Sequence, residues 1–278
     1  MEKLGFSLQS SYALPMADVL HLLRDLGLYG ISPVWQHGGD LDAIAELAAQ
    51  CNLAIQSLHG PLRGIPALWR EDHTHAIPLL EDFLHAVDDC VTYGIPVLVV
   101  HSWTGLDYTF RETELVFSHF DTLVDYAASH GVQIAFENLE GPEYLDALMA
   151  HYRHNAAVGF CWDSGHERCY TPTRDYLTEY GDRLLMTHLN DNLGITDPGG
   201  QLRGTDDLHL LPGDGTACWE QIVTKLTQAR RQEILNFELK IRPKGDRCTH
   251  DLYSKLPLEQ YLTKAYKAAC AVTTPYFR

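Results

Sequence analysis

The sequence has no two cysteines in a C-x-x-C spacing. Its seven cysteines (51, 90, 161, 169, 218, 248 and 270) are odd in number and widely scattered. That argues against a disulfide framework and against a zinc site built from thiolates, and leaves them as small core residues. Basic charge is scarce: 21 Lys and Arg against 37 Asp and Glu give a formal net charge of −16. A protein that grips nucleic acid gains affinity by releasing phosphate counterions, so an acidic total makes that partner unlikely unless a basic groove is confined locally. Long apolar runs are missing, since stretches such as "VLVV" at 97–100 only reach strand length, and no membrane span is expected. "MEKLGFSLQSS" lacks a basic region followed by an apolar segment, so no signal peptide is expected and the cytoplasm is the default location. There is no linker, low-complexity stretch or shift in composition, so residues 1–278 are expected to form a single domain.

What is present is alternation. Apolar runs fall at 4–8, 29–35, 53–58, 96–101, 132–137, 157–162, 184–189 and 233–239. Segments with helical spacing lie between and after them, at 15–27, 40–51, 74–93, 111–129, 142–153, 173–180, 217–230 and 257–272. Asp40 is placed to cap one helix and Pro142 to start another, while Gly27, Gly94 and Gly131 fall just past helix ends. Nearly all-apolar strands alternating with helices predict a parallel sheet covered on its outer face. At this length a closed (β/α)8 TIM barrel is expected over an open doubly wound sheet. The open sheet would usually carry a Gly-rich phosphate turn after its first strand, and "SLQSSYALP" has none. One connection, about 190–216, is long enough to be either a disordered excursion or a functional loop.

In a barrel the C-terminal ends of the strands form the active-site rim. The third run ends in His59, the fourth in His101, the fifth in Glu137 and the sixth in Asp163 with His166. The seventh ends in His188 with Asp191, the eighth in Glu238, and the long loop adds Asp207 and His209. A single histidine at a strand end is most often a hydrogen-bonded rim residue. Several carboxylates converging on one barrel mouth would repel each other unless cations or protons neutralise them. Imidazoles mixed with carboxylates, without thiolates, form a donor set suited to Zn²⁺, Mn²⁺ or Fe²⁺.

Together these residues resemble the xylose isomerase-like TIM-barrel superfamily. It includes sugar and sugar-phosphate isomerases and epimerases, inosose dehydratases and isomerases, and abasic-site nucleases of the endonuclease IV family. The resemblance covers essentially the whole chain. In the ketose epimerase branch one divalent metal is held by Glu, Asp, His and Glu from the fifth to eighth strands. The matching positions are Glu137 in "FENLEG", Asp163 in "WDSGH", His188 in "THLND" and Glu238 in "FELK". The endonuclease IV branch binds three zinc ions through a larger set, to which His59, His101, His166, Asp207 and His209 would belong. "DLHLLPGDG" looks like that branch's D-x-H followed by a Gly-rich turn, but similar motifs occur in epimerase-like members. The motif therefore identifies the superfamily rather than the activity.

The resemblance implies a metal-dependent sugar or sugar-phosphate isomerase or epimerase, with one to three Zn²⁺ or Mn²⁺ ions. Proton transfer next to a carbonyl would pass through a metal-stabilised enediolate, with Glu137 and Glu238 as the acid/base pair. His59, His101 and His166 would bind hydroxyls or orient ligands. Trp103 is a candidate pocket wall, and Arg242 is a candidate contact to a sugar phosphate. The alternatives are an endonuclease IV-like phosphodiesterase, a polyol or inosose dehydratase, and a metal-binding barrel without catalytic activity. Barrels of this kind commonly form homo-oligomers, although the sequence points to no interface.

Overall fold

The computed structural model describes residues 2–9, 12–71, 73–245 and 247–278. Nine strands, all paired in parallel, alternate with helices among the described residues. The first half of the chain contains β1 (Leu4–Ser7), α1 (Met16–Leu26), β2 (Gly30–Ser32), α2 (Leu41–Cys51), β3 (Ala54–Ile55) and β4 (Leu58–His59). It continues with α3 (His73–Tyr93), β5 (Val97–His101), α4 (Ser118–Ser129), β6 (Gln133–Glu137) and α5 (Pro142–His151). The second half adds β7 (Val158–Asp163), α6 (Ser164–Tyr170), α7 (Tyr176–Tyr180), β8 (Leu184–His188), α8 (Trp219–Gln228), β9 (Leu235–Phe237), α9 (Asp251–Ser254) and α10 (Leu258–Phe277).

The strands form two arcs, β3-β2-β1-β9 and β4-β5-β6-β7-β8. Single parallel bridges, Val34 to His59 and Leu189 to Phe237, join the arcs at both seams and close the ring. The third expected strand, 53–58, is broken into β3 and β4 at Gln56–Ser57, so each half pairs with a different arc. Taken together as one position, β3 and β4 complete the eightfold plan of a TIM barrel.

Two apolar layers hold it. Outward-facing residues such as Leu98, Val100, Ile134, Phe136 and Phe160 pack against the buried stripes of the helices in the main core. Inside the ring a smaller cluster of Val97, Val99, Ala135, Cys161 and Met186 fills the lower barrel. Helix ends follow the expected chemistry in part. Gly27 takes a left-handed φ of 90° past α1, and Pro142 starts α5. Asp40 precedes α2 without a side-chain capping bond, and 112–114 form a separate 3-10 turn, so α4 begins later than expected. No helix among the described residues is long and apolar enough to cross a membrane.

The long connection after β8 is ordered. Asp191, fully buried, accepts from the backbone N–H groups of Asn192 (2.9 Å), Gly213 (2.9 Å) and Ala217 (3.0 Å) and from Trp219 Nε1 (3.0 Å). A Cβ on Gly215 would come within 2.2 Å of Asp191 Oδ1, so only glycine allows the turn to wrap this carboxylate. Asp191 also pairs with Leu210 as an isolated antiparallel bridge, which brings residues 207–210 back over the barrel mouth.

Candidate metal centre

Side chains alternate along a strand, so positions two apart share a face. Val99 therefore shares a face with His101, Ala135 with Glu137, Cys161 with Asp163, and Met186 with His188. Since the first member of each pair packs inside the ring, the second stands one layer higher, at its mouth. Register fixes which groups meet: His101 lies opposite Glu137, and Asp163 opposite His188. The second pairing depends on an irregularity. Phe160 pairs with Leu184 but Cys161 with Met186, which skips one residue of β8. In an unbroken ladder Asp163 would face Thr187 instead.

All nine expected ligand residues come together. Donor atoms of Glu137, Asp163, His188 and Glu238 lie within 4.8 Å of one another, as do those of His59, His101 and Glu137, and those of His166, Asp207 and His209. Glu137 is the hub. Its Oε1 lies 2.9 Å from His188 Nδ1 and 3.5 Å from His166 Nδ1, while its Oε2 lies 3.2 Å from His59 Nε2 and 3.4 Å from His101 Nε2. Glu238 Oε2 lies 3.1 Å from His188 Nδ1. Asp163 receives Asn190 Nδ2 on both oxygens at 3.0 Å and caps α6 by accepting from His166 N at 2.7 Å. Gly165 makes this possible, because a Cβ there would sit 1.8 Å from Asn190 Oδ1.

Backbone carbonyls set three of the imidazoles. His59 donates its Nδ1–H to the Gly60 carbonyl (3.0 Å), His166 to that of Asn138 (2.9 Å) and His209 to that of Glu238 (3.0 Å). Each neutral ring then keeps its Nε2 lone pair for the cavity, the usual outer-shell arrangement behind metal-binding histidines. His209 adopts φ +51°, a left-handed conformation strained by roughly 1–2 kcal/mol in a non-glycine residue.

The electrostatics of the cluster are set by burial and by close contacts between carboxylates and imidazoles. Burial would raise the pKa of Glu137, but His188, His101 and His166 outweigh it and hold the carboxyl well below the ordinary range. Burial likewise opposes ionisation of Glu238, yet His209, His188 and Lys240 bring its pKa down to about 2. Asp163 goes the other way: burial dominates, and its pKa is raised. Burial disfavours charge on His166 and His188, but Asp163 and Asp207 lift the first, and Cys161 with Glu137 the second, well above the ordinary histidine value. Among the described residues no Lys or Arg pairs directly with Glu137, Asp163 or Glu238. Two buried carboxylates and the half-buried Glu238, with imidazole and amide partners but no direct Lys or Arg partner among the described residues, suit a divalent ion of the Zn²⁺ or Mn²⁺ kind. His209 Nε2 and Asp207 Oδ1 add two buried atoms that make no hydrogen bond.

The mouth opens into a cavity of about 490 Å³. His59, His101, Glu137, His166 and Glu238 line it, together with Leu8, Val34, Leu41 and Ile44 from the segments after β1 and β2, which also bring Gln9, Gln36 and Asp40. Two expected substrate contacts are not among its lining residues. Trp103 is buried, stacked 4.0 Å from Tyr144, with its Nε1 bonded to the Gly105 carbonyl. Arg242 is exposed, while Lys240 and Lys244 from the same segment face the cavity. The sequence also offered Lys244, in "IRPKGDR", as a group that could meet a sugar phosphate, but sequence reasoning passed over Lys240, Asn138 and Asn190. Asn138 bonds both backbone groups of Asp163, at 2.8 Å and 2.9 Å. The available signal was position, since both asparagines follow a strand-end ligand by one or two residues.

A comparison with solved structures finds the same architecture at low identity. IolI, solved with a bound zinc atom, has a TM-score of 0.78 and 20% identity, with 99% of both chains covered. An L-ribulose 3-epimerase has a TM-score of 0.74 and 14% identity over 100% of this chain and 96% of that one. The 3-keto-D-glucoside 4-epimerase YcjR of E. coli has a TM-score of 0.69 and 14% identity over 99% and 100%. Among curated sequences, the uncharacterized protein y4fM of Sinorhizobium fredii is 32% identical over 166 residues, 55% of this chain. That match spans about half of the relative's length, 50%. Residues 20–258 match the family described as xylose isomerase-like TIM barrel, and the chain belongs to that family.

Proposed function

We propose that this chain is a metal-dependent isomerase or epimerase of a sugar or sugar phosphate, with Glu137 and Glu238 as its acid/base pair. The carrying observation is that both glutamates flank His188 Nδ1, at 2.9 Å and 3.1 Å, and both line the cavity. Glu137, Asp163, His188 and Glu238 would hold the ion, which when bound supplies a Lewis acid that stabilises negative charge building on the substrate's oxygens. Glu238 is the carboxylate open to substrate: its side chain is 17% exposed against 1% for Glu137. Ionised at neutral pH, it removes the carbon-bound proton next to the carbonyl. Glu137, likewise ionised, returns a proton where the reaction inverts a centre only after taking one from His166, whose Nδ1 lies 3.5 Å from its Oε1. Glu238 gives up the abstracted proton to solvent through the cavity, while the imidazoles of His59 and His101 fix Glu137 Oε2. His166 offers its ring to a substrate hydroxyl. Solvent deuterium is expected to enter one carbon-bound position of a ketose from a substrate panel. Absence of exchange with every ketose and polyol, in metal-loaded protein, would remove this reading.

A second reading has its own support. The donor groups around His59 and Asp207 extend the first into a set matching the three-zinc arrangement implied by the resemblance to endonuclease IV. A phosphodiesterase of that kind would need basic loops for a nucleic-acid backbone, which the net charge of −16 does not favour. Cleavage of an abasic-site duplex would promote it over the first.

A further inference from the structure

The three donor groups are unequal in charge. Glu137, Asp163 and Glu238 bring three carboxylates to the first, with imidazoles as their close partners. The group around His59 and His101 shares the Glu137 carboxylate and has no ammonium beside it among the described residues. The third group has one carboxylate, Asp207, and that one is already engaged. Lys244 Nζ donates to Asp207 Oδ2 at 2.6 Å, and Lys240 Nζ stands 3.9 Å from the same oxygen. Asp207 Oδ1 faces His209 Nε2 at 2.9 Å and His166 Nε2 at 3.3 Å. The corner therefore carries one negative and two positive charges, and its imidazoles when neutral add none. Across the mouth, Glu137, Glu140, Asp163, Asp207 and Glu238 against Lys240 and Lys244 leave three net negative charges with the imidazoles neutral, the exposed Asp40 aside. One divalent ion leaves one negative charge, a second turns the mouth positive, and a third enters a positive field.

We propose that Lys244, assisted by Lys240, takes the place of a third divalent ion at the His166–Asp207–His209 corner. The mouth then accepts ions at the Glu137–Asp163–His188–Glu238 group, and at most one more between His59 and His101. This rests on the metal-centred reading above but not on the reaction assigned to it. It separates the chain from a three-ion phosphodiesterase, because the donors are all present and the charge is wrong. An ammonium held at hydrogen-bond distance from a carboxylate repels an incoming dication and competes with it for the same oxygens.

The test resolves ions by position. Crystals of the wild type and of Lys244→Met, Lys240→Met/Lys244→Met and Lys244→Arg are grown with saturating Mn²⁺ or Zn²⁺, and anomalous scattering locates each ion. Equilibrium dialysis counts ions in solution, in a His37→Ala background so that the exposed His37–Asp82–His85 group does not add to the count. The wild type and Lys244→Arg are expected to leave the Asp207 corner without a divalent ion. The doubly substituted chain gains one there, and its stoichiometry rises by one ion. A wild-type ion bonded to Asp207, His166 and His209 overturns the proposal. So does a corner that stays empty once both lysines are gone, in crystals that confirm the fold. Neither result touches the deuterium-exchange assay, so the reaction and the ion count fail separately.

Discussion

The two sides of the barrel mouth are built from the same strand geometry and carry opposite chemistry. From β4 to β9 each strand end or the residue just after it supplies an imidazole or a carboxylate. β1 and β2 end in Ser7 and Ser32, and the loops above them bring Leu8, Val34, Leu41 and Ile44 to the cavity. The polar side concentrates charge where a cation and a moving proton need it. The other side gives shape through its apolar residues, with Gln9, Gln36 and Asp40 among them. A fold that lets each loop vary independently can divide the two tasks in this way.

The largest effect should come from the polar side. Glu238→Gln removes the proposed base while keeping size and shape, and turnover is expected to fall by at least about 10²-fold, with the melting temperature changed little. A kinetic assay beside a thermal melt checks this, and full activity would take Glu238 out of the mechanism. Asp191→Ala should come next, although it touches no substrate. It strips a buried carboxylate from four donors, at an expected loss of about 3 kcal/mol, and frees the loop that positions Asp207 and His209. Denaturant titration measures the first effect, and hydrogen exchange in 207–216 the second.

Acid should separate the two sides without mutation. Glu137, Asp207 and Glu238 have depressed pKa values in the folded, metal-free chain. Their stabilisation is present above the ordinary carboxylate value of about 4.5 and is lost as pH falls from there toward the value of about 2 for Glu238. For His166 and His188 the shift is upward, so each ring holds an added proton to higher pH than an ordinary histidine and must lose it before it can ligate. Metal binding is then expected to release protons and to tighten as pH rises. Calorimetry in buffers of different ionisation enthalpy reads that release, and a pH-independent affinity would contradict the geometry.

On the apolar side, Ile44→Ala should raise KM a few-fold and leave kcat nearly intact, since the wall acts through fit. The smallest expected effect is at His151→Ala, far from the mouth. Its ring stacks on Phe117 at 4.1 Å and bonds Asp121 at 2.8 Å, so a shift of under about 1 kcal/mol in stability is expected, and none in turnover.

The polar side was legible in the sequence because His59, His101, Glu137, Asp163, His188 and Glu238 sit at or beside the ends of apolar runs, which in a barrel share one rim. The register that brings Asp163 opposite His188 is instead a property of the ladder. The break at Gln56–Ser57 and the skipped residue between β7 and β8 were not legible. Both are adjustments of ladder geometry that leave the apolar pattern unchanged. Trp103 and Arg242 were expected at the substrate from their nearness to strand ends. The structure turns the first into a stacking partner for Tyr144 and leaves the second outside the cavity, since a loop's path after the strand is set by contacts far away in sequence.

Glu137 is within reach of four histidines that come from four different strand ends or loops. Losing the central glutamate would devalue its four partners at once, and losing a partner would shift what the glutamate tolerates. Paired substitutions in this group should be strongly epistatic, and descendants should keep the whole constellation or abandon it together.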